Sequence, residues 1–140
     1  MNRERLRQQL VADEGMRRKP YRDTVGKLTI GVGRNLDDVG ISELEALYLL
    51  DNDINGAVKD LAVAFSDWFQ SLDPVRQAVL VNMCFNLGIV RLKGFHQTLA
   101  HVKRGEYDRA ADQMLKSKWA DQVGARASRL SQQMRRGEWA

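Results

Sequence analysis

The sequence predicts a mainly α, α+β fold. Three observations carry this: start and stop signals frame a series of helices, a glycine-punctuated β-prone run falls between the first two, and no repeat, low-complexity linker or bilayer-length apolar run interrupts them. Leu6, Leu10 and Val11 mark one face of a first helix, which Gly15 ends and Pro20 prevents from resuming, so Glu14 falls at its C-terminal edge. Tyr21 to Val32 carries Gly26, Gly31 and Gly33 around Leu28-Thr29-Ile30 and reads as a hairpin or small sheet. Ser42-Glu43-Leu44-Glu45 is a capping box, and Leu44, Leu47, Tyr48 and Ile54 continue that helix toward Phe65. Asp73-Pro74 pairs an N-cap with a proline at the first helical position, and Gly88 supplies the stop. Shorter helices are predicted from Phe95 to Val102, Tyr107 to Trp119 and Ala125 to Met134. The middle one carries Tyr107, Ala110, Ala111, Met114 and Leu115 on one stripe.

A chain of 140 residues is long enough for one domain with a core of its own. The order of elements makes that domain bilobed: a small β lobe over about 15–41, a linking helix over about 42–65, and a helical lobe from 1–14 plus 66–140. A cleft between two such lobes is where a substrate is expected to bind.

Composition narrows the function. Apolar residues at 44% and charged residues at 29% are ordinary for a globular protein. The net charge of +4 is unevenly spread: Arg17, Arg18, Lys19 and Arg22 cluster early, Lys103, Arg104, Arg126, Arg129, Arg135 and Arg136 crowd the end, and the stretch from Asp37 to Asp73 is acidic. Basic faces of this kind suit an anionic polymer, either nucleic acid or the acidic cell wall. The charged start Met1-Asn2-Arg3-Glu4-Arg5 has no apolar run of a secretory signal behind it. The lone Cys84 sits in an apolar stretch and reads as a core thiol. His96 and His101 are spaced wrongly for two ligands on one helical face, so no metal site is predicted.

The residues that can carry chemistry bracket the β element: Glu14 at the helix edge, Asp23 in the following loop and Thr29 in the strand. Glycoside hydrolysis without a covalent intermediate needs a protonated acid on the leaving oxygen and a carboxylate that activates water on the opposite face, the two about 6.5–9.5 Å apart. The acid role suits Glu14, because the partial negative charge of a helix C-terminus is unfavourable to a second negative charge. Asp23, in a polar loop, suits the base role, and the Thr29 hydroxyl can hold the attacking water.

Around these residues, Asp13-Glu14-Gly15, Tyr21-Arg22-Asp23-Thr24, Gly26 and Leu28-Thr29-Ile30-Gly31-Val32-Gly33 resemble the active-site segment of the phage lysozymes of the T-even type, glycoside hydrolase family 24. The likeness continues through Ser71-Leu72-Asp73, Asn82-Met83, Phe85, Gly94-Phe95, Lys116-Ser117-Lys118-Trp119, Arg126-Ala127 and Gly137-Glu138-Trp139. The resemblance implies a lysozyme-like fold and a cofactor-free muramidase that hydrolyses the β-1,4 bond between N-acetylmuramic acid and N-acetylglucosamine in peptidoglycan. It implies Glu14, Asp23 and Thr29 as catalytic positions, and Asn35, Phe85, Thr98 and Gln113 as substrate contacts, of which Phe85 alone keeps the residue expected there. It also places at Arg126 an arginine expected to face the catalytic glutamate and tune its charge. Two departures stand out: the segment from Gly33 to Ser42 is shorter than in that type, and Arg34 replaces its histidine.

The expected protein is thus a monomeric endolysin without nucleic-acid partner or membrane insertion, held in the host cytoplasm until release, with virion-borne delivery as the other route. The alternatives are a lytic transglycosylase, which needs one acid and no water, and a non-catalytic basic module that binds wall or nucleic acid.

Overall fold

The computed structural model describes all residues from Met1 to Ala140. It has the lysozyme-like, mainly α architecture: a helix α1 (Arg3–Glu14), strands β1 (Arg17–Arg22), β2 (Leu28–Gly31) and β3 (Arg34–Asn35), then helices α2 (Glu43–Ala64), α3 (Pro74–Leu87), α4 (Ile89–Lys93), α5 (His96–Lys103), α6 (Tyr107–Leu115), α7 (Lys118–Val123) and α8 (Ala125–Arg136). The chain divides into two compact units, Met1–Leu49 and Leu50–Ala140.

In the first unit, the Asn2 side chain accepts the Arg5 N–H at 3.0 Å and starts α1. Gly15, at φ 76°, ends it by donating to the Val11 carbonyl at 2.8 Å. The helix forms as its pattern predicts, yet none of its residues is buried. The sheet is antiparallel in the order β1-β2-β3 and begins at Arg17, earlier than the glycine pattern suggests. That extension runs through Pro20, which β1 tolerates because it is an edge strand and an absent N–H there need break no ladder. Tyr21 pairs with Thr29 and Arg22 with Leu28, while Thr29 and Ile30 pair on the other side with Asn35 and Arg34. Thr29 on the central strand is the one buried residue of this unit. The capping box forms as read: Ser42 Oγ accepts the Glu45 N–H at 3.1 Å and Glu45 Oε1 accepts the Ser42 N–H at 2.9 Å.

The second unit holds the core, with Leu61, Val79, Leu80, Met83, Leu92, Val102, Met114 and Met134 fully buried. Helix α6 packs chiefly on α5 and α8, and α3 on α8. Asp73 caps α3 by accepting the Arg76 N–H at 3.0 Å, and Gly88 closes it. Cys84 is buried, and burial raises its thiol pKa, with Asp60 adding to the effect. The helix expected from Tyr107 to Trp119 is two helices, because Ser117 turns its hydroxyl both ways: it donates to the Met114 carbonyl at 2.7 Å and accepts the Ala120 N–H at 3.1 Å, capping a new start.

Arg76 ties this unit together. Its Nε and Nη2 donate to the last carbonyls of α8, Met134 at 2.7 Å and Arg135 at 2.9 Å, its Nη1 pairs with Asp73 at 3.1 Å, and its guanidinium lies 3.7 Å from the Tyr107 ring centre. With 14% of the side chain exposed, these contacts are poorly screened. Arg76→Met is expected to lower stability by on the order of 3 kcal/mol, read by chemical denaturation, since the charged hydrogen bonds to the freed carbonyls are lost. An unchanged midpoint would show that the clamp contributes nothing.

Candidate active site

The three residues singled out by chemistry all lie in the first unit. Glu14 is the last residue of α1, and its side chain rests on Gly33. A Cβ at position 33 would stand 3.4 Å from Glu14 Oε2 and 3.6 Å from its carboxyl carbon, at a backbone φ of +73°. The backbone conformation is what favours glycine here, since a Cβ would meet the carboxyl only in ordinary contact.

Asp23 and Thr29 are brought together by the main chain of one residue between them. Lys27 donates its N–H to Asp23 Oδ1 at 2.8 Å, while its carbonyl accepts the Asp23 N–H at 2.9 Å and the Thr29 hydroxyl at 2.9 Å. Val25 adds a second N–H to Asp23 Oδ1 at 3.0 Å. One carboxylate oxygen is therefore fixed by the turn, and the structure gives Oδ2 no protein donor. The Thr29 hydroxyl has committed its only proton to Lys27, so toward any further partner it is an acceptor. Sequence reasoning missed Lys27, because its contribution comes from backbone atoms and no side-chain type reports it.

The nearby cations are matched by carboxylates. Lys27 Nζ pairs with Asp38 at 3.1 Å, Arg22 reaches Asp37 at 4.0 Å, and Asp37 also accepts the Leu28 N–H at 2.8 Å. Arg34 pairs with Glu45 at 2.8 Å, and that arginine together with the Ser42 amide and hydroxyl lowers the Glu45 pKa to about 2. Solvent screens this exposed pair, so Glu45 adds only a small stability, present above its ordinary carboxylate range and lost as pH falls through about 2.

The residues assigned by resemblance to substrate contact are distributed differently. Asn35 is engaged within its own turn, donating to Asp38 Oδ2 at 3.0 Å and accepting the Asp38 N–H at 2.9 Å. In the second unit, Thr98 and Gln113 line one pocket of about 500 Å³ with Trp119, whose indole N–H donates to Asn86 at 2.8 Å. Phe85, half exposed on α3, shares another pocket of about 530 Å³ with Arg126. The Arg126 guanidinium grips Asn82, with Nε and Nη2 at 2.9 and 2.6 Å from Oδ1. No set of three His, Cys, Asp or Glu side chains converges as a metal site.

The site thus offers a carboxyl group at a helix end, a second carboxylate with one oxygen held and one unbonded, and an acceptor hydroxyl beside it, groups of the types that glycoside hydrolysis can use. Several known proteins resemble this chain. Probable T4-type lysozymes 1 and 2 of Dictyostelium discoideum are 25% and 27% identical to it, each alignment covering 89% of this chain and 90% of the relative. A SAR-endolysin of Escherichia phage Mu is 30% identical over 86% of this chain and 69% of its own length. The profile of the phage lysozyme family matches residues 11–138, nearly the whole sequence, and the chain belongs to that family.

Proposed function

We propose that the protein is a muramidase that hydrolyses the β-1,4 bond between N-acetylmuramic acid and N-acetylglucosamine with inversion. In this reading the Glu14 carboxyl gives its proton to the glycosidic oxygen as the bond to the anomeric carbon breaks. A water on the opposite face of the sugar gives one hydrogen bond to Asp23 Oδ2 and the other to Thr29 Oγ1, and its lone pair attacks the anomeric carbon while Asp23 takes the proton. The observation that carries this reading is the Lys27 peptide: it holds Asp23 and Thr29 in one frame and leaves each an unused acceptor atom. A transglycosylase has no use for two such acceptors, since its nucleophile is a hydroxyl of the sugar itself.

Release of reducing ends from purified peptidoglycan tests the activity. In that assay Thr29→Val is expected to lower kcat on the order of tenfold, the worth of one hydrogen bond to the water, with KM little changed and with Thr29→Ser restoring the rate. A valine variant at full kcat would remove Thr29 from the mechanism. Asn35, Phe85, Thr98 and Gln113 remain the proposed substrate contacts, and the protein is taken to act as a monomer on the wall. The phage lysozyme family and the likeness to a SAR-endolysin support a role in host lysis; retention in the host cytoplasm until release, with virion-borne delivery as the other route, belongs to the proposal alone.

A further inference from the structure

We propose that Arg34 is a positioning residue for Glu14, fixing the Gly31–Gly33 turn against the Glu14 carboxyl through its bond to Glu45. The inference rests on the reading of Glu14 as the acid. Arg34 closes the β2–β3 hairpin by pairing with Ile30, directly beside the turn, and Gly33 is the residue on which the Glu14 side chain lies. From there the Arg34 Nη1 reaches across to the start of α2, donating to Glu45 Oε1 at 2.8 Å and to the Gly40 carbonyl at 3.2 Å. The same Glu45 oxygen accepts the Ser42 N–H at 2.9 Å, so one atom serves both the helix cap and the arginine. The other carboxylates of the connecting segment, Asp37 and Asp38, pair with Arg22 and Lys27, and Glu45 alone faces Arg34 within 4.0 Å.

The energetics separate positioning from stability. Arg34 and Glu45 keep 38% and 44% of their side-chain surface exposed, and a pair so solvated contributes little to folding. What the pair supplies is the placement of a short hairpin whose turn is built from glycines and resists displacement poorly by itself. Loss of the link should therefore appear in kcat, where a misplaced wall moves the proton donor, more than in thermal stability.

The pair also holds at every working pH, because Glu45 is ionised above about 2 and the guanidinium does not titrate. A histidine at position 34 would carry its charge only in the acidic part of the range, its ordinary pKa being about 6.5. The test measures kcat and KM for reducing-end release by the wild type and the Arg34→Gln, Arg34→Lys and Arg34→His variants from pH 5 to 8.5, with rates taken relative to wild type at each pH. It is joined to the amide shift of Gly33 in ¹⁵N-labelled protein. Arg34→Gln is expected to lose about tenfold in kcat with KM within twofold, and Arg34→Lys to recover part of it. Arg34→His should match the wild type near pH 5 and fall to the level of the glutamine variant by pH 8, with the Gly33 amide titrating at the same midpoint. Full kcat in Arg34→Gln, or a relative rate of Arg34→His that does not change with pH while the Gly33 amide stays still, would overturn the proposal. If the wild type releases no reducing ends, the muramidase reading falls, and the Gly33 amide still decides: its titration in the Arg34→His variant supports the positioning role and a static resonance there refutes it.

Discussion

Glu14→Gln is expected to lower kcat for peptidoglycan hydrolysis by roughly 10²–10⁴-fold, the usual worth of a positioned general acid. The change is close to isosteric, and the amide can still lie on Gly33, where a Cβ would stand 3.4 Å from Oε2. What it cannot do is give a proton to a departing alkoxide. Glu14 is an exposed residue at the end of a helix with no buried positions, so its substitution removes no core contact and the melting temperature should stay near that of the wild type. Reducing-end assays on the folded variant, with circular dichroism melts alongside, check both halves. Clearance of cell walls at the wild-type rate would show that another group protonates the leaving oxygen.

Asp23→Asn is the second large effect, expected in the same range of roughly 10²–10⁴-fold, and it isolates the base from the turn. Asp23 Oδ1 accepts the Val25 and Lys27 amides, and in the proposed mechanism Oδ2 receives the water. An asparagine keeps an oxygen that can take both amides, so the loop should persist, as Asx turns formed by either residue do. The remaining position becomes an N–H₂ group, which donates where a proton must be accepted. Asp23→Ala loses both functions and is expected to lower thermal stability as well as activity. The comparison of the two variants by kcat and melting temperature separates chemistry from loop structure. If the asparagine variant hydrolyses its substrate at an undiminished rate, Asp23 is only a turn former.

Much of the helical framework is legible because helix ends are written in side chains. The Ser42-to-Glu45 capping box and the Asp73 cap are sequence signals that the structure reproduces as hydrogen bonds of 2.9–3.1 Å. Helix α1 ends at Gly15 for the same kind of local reason. Glu14, Asp23 and Thr29 were legible as candidates through the kinds of side chain and their spacing around a strand. Lys27 was not, since a backbone N–H and carbonyl belong to every residue and only the fold says which ones matter. The break between α6 and α7 was hidden because Lys116-Ser117-Lys118 has no glycine or proline, and a serine caps a helix only once its hydroxyl finds the right amide. The short α4 lies under the same blind spot, at five residues too brief to show a period. In the sequence Arg76 goes unremarked and Arg34 is marked only as a replacement for the family's histidine, and the structure alone gives them the α8 carbonyls and Glu45 as partners. Long-range partners of this sort depend on where distant segments meet, and no local pattern specifies them.

The most direct test of the central claim is the configuration of the first product, followed by anomer-resolved NMR in the opening minutes of digestion of purified peptidoglycan, before mutarotation mixes the anomers. Water activated by Asp23 on the face opposite the leaving group delivers the α-anomer with a free reducing end. The β-anomer would instead make Asp23 a nucleophile, and a 1,6-anhydro sugar with no reducing end would contradict hydrolysis altogether.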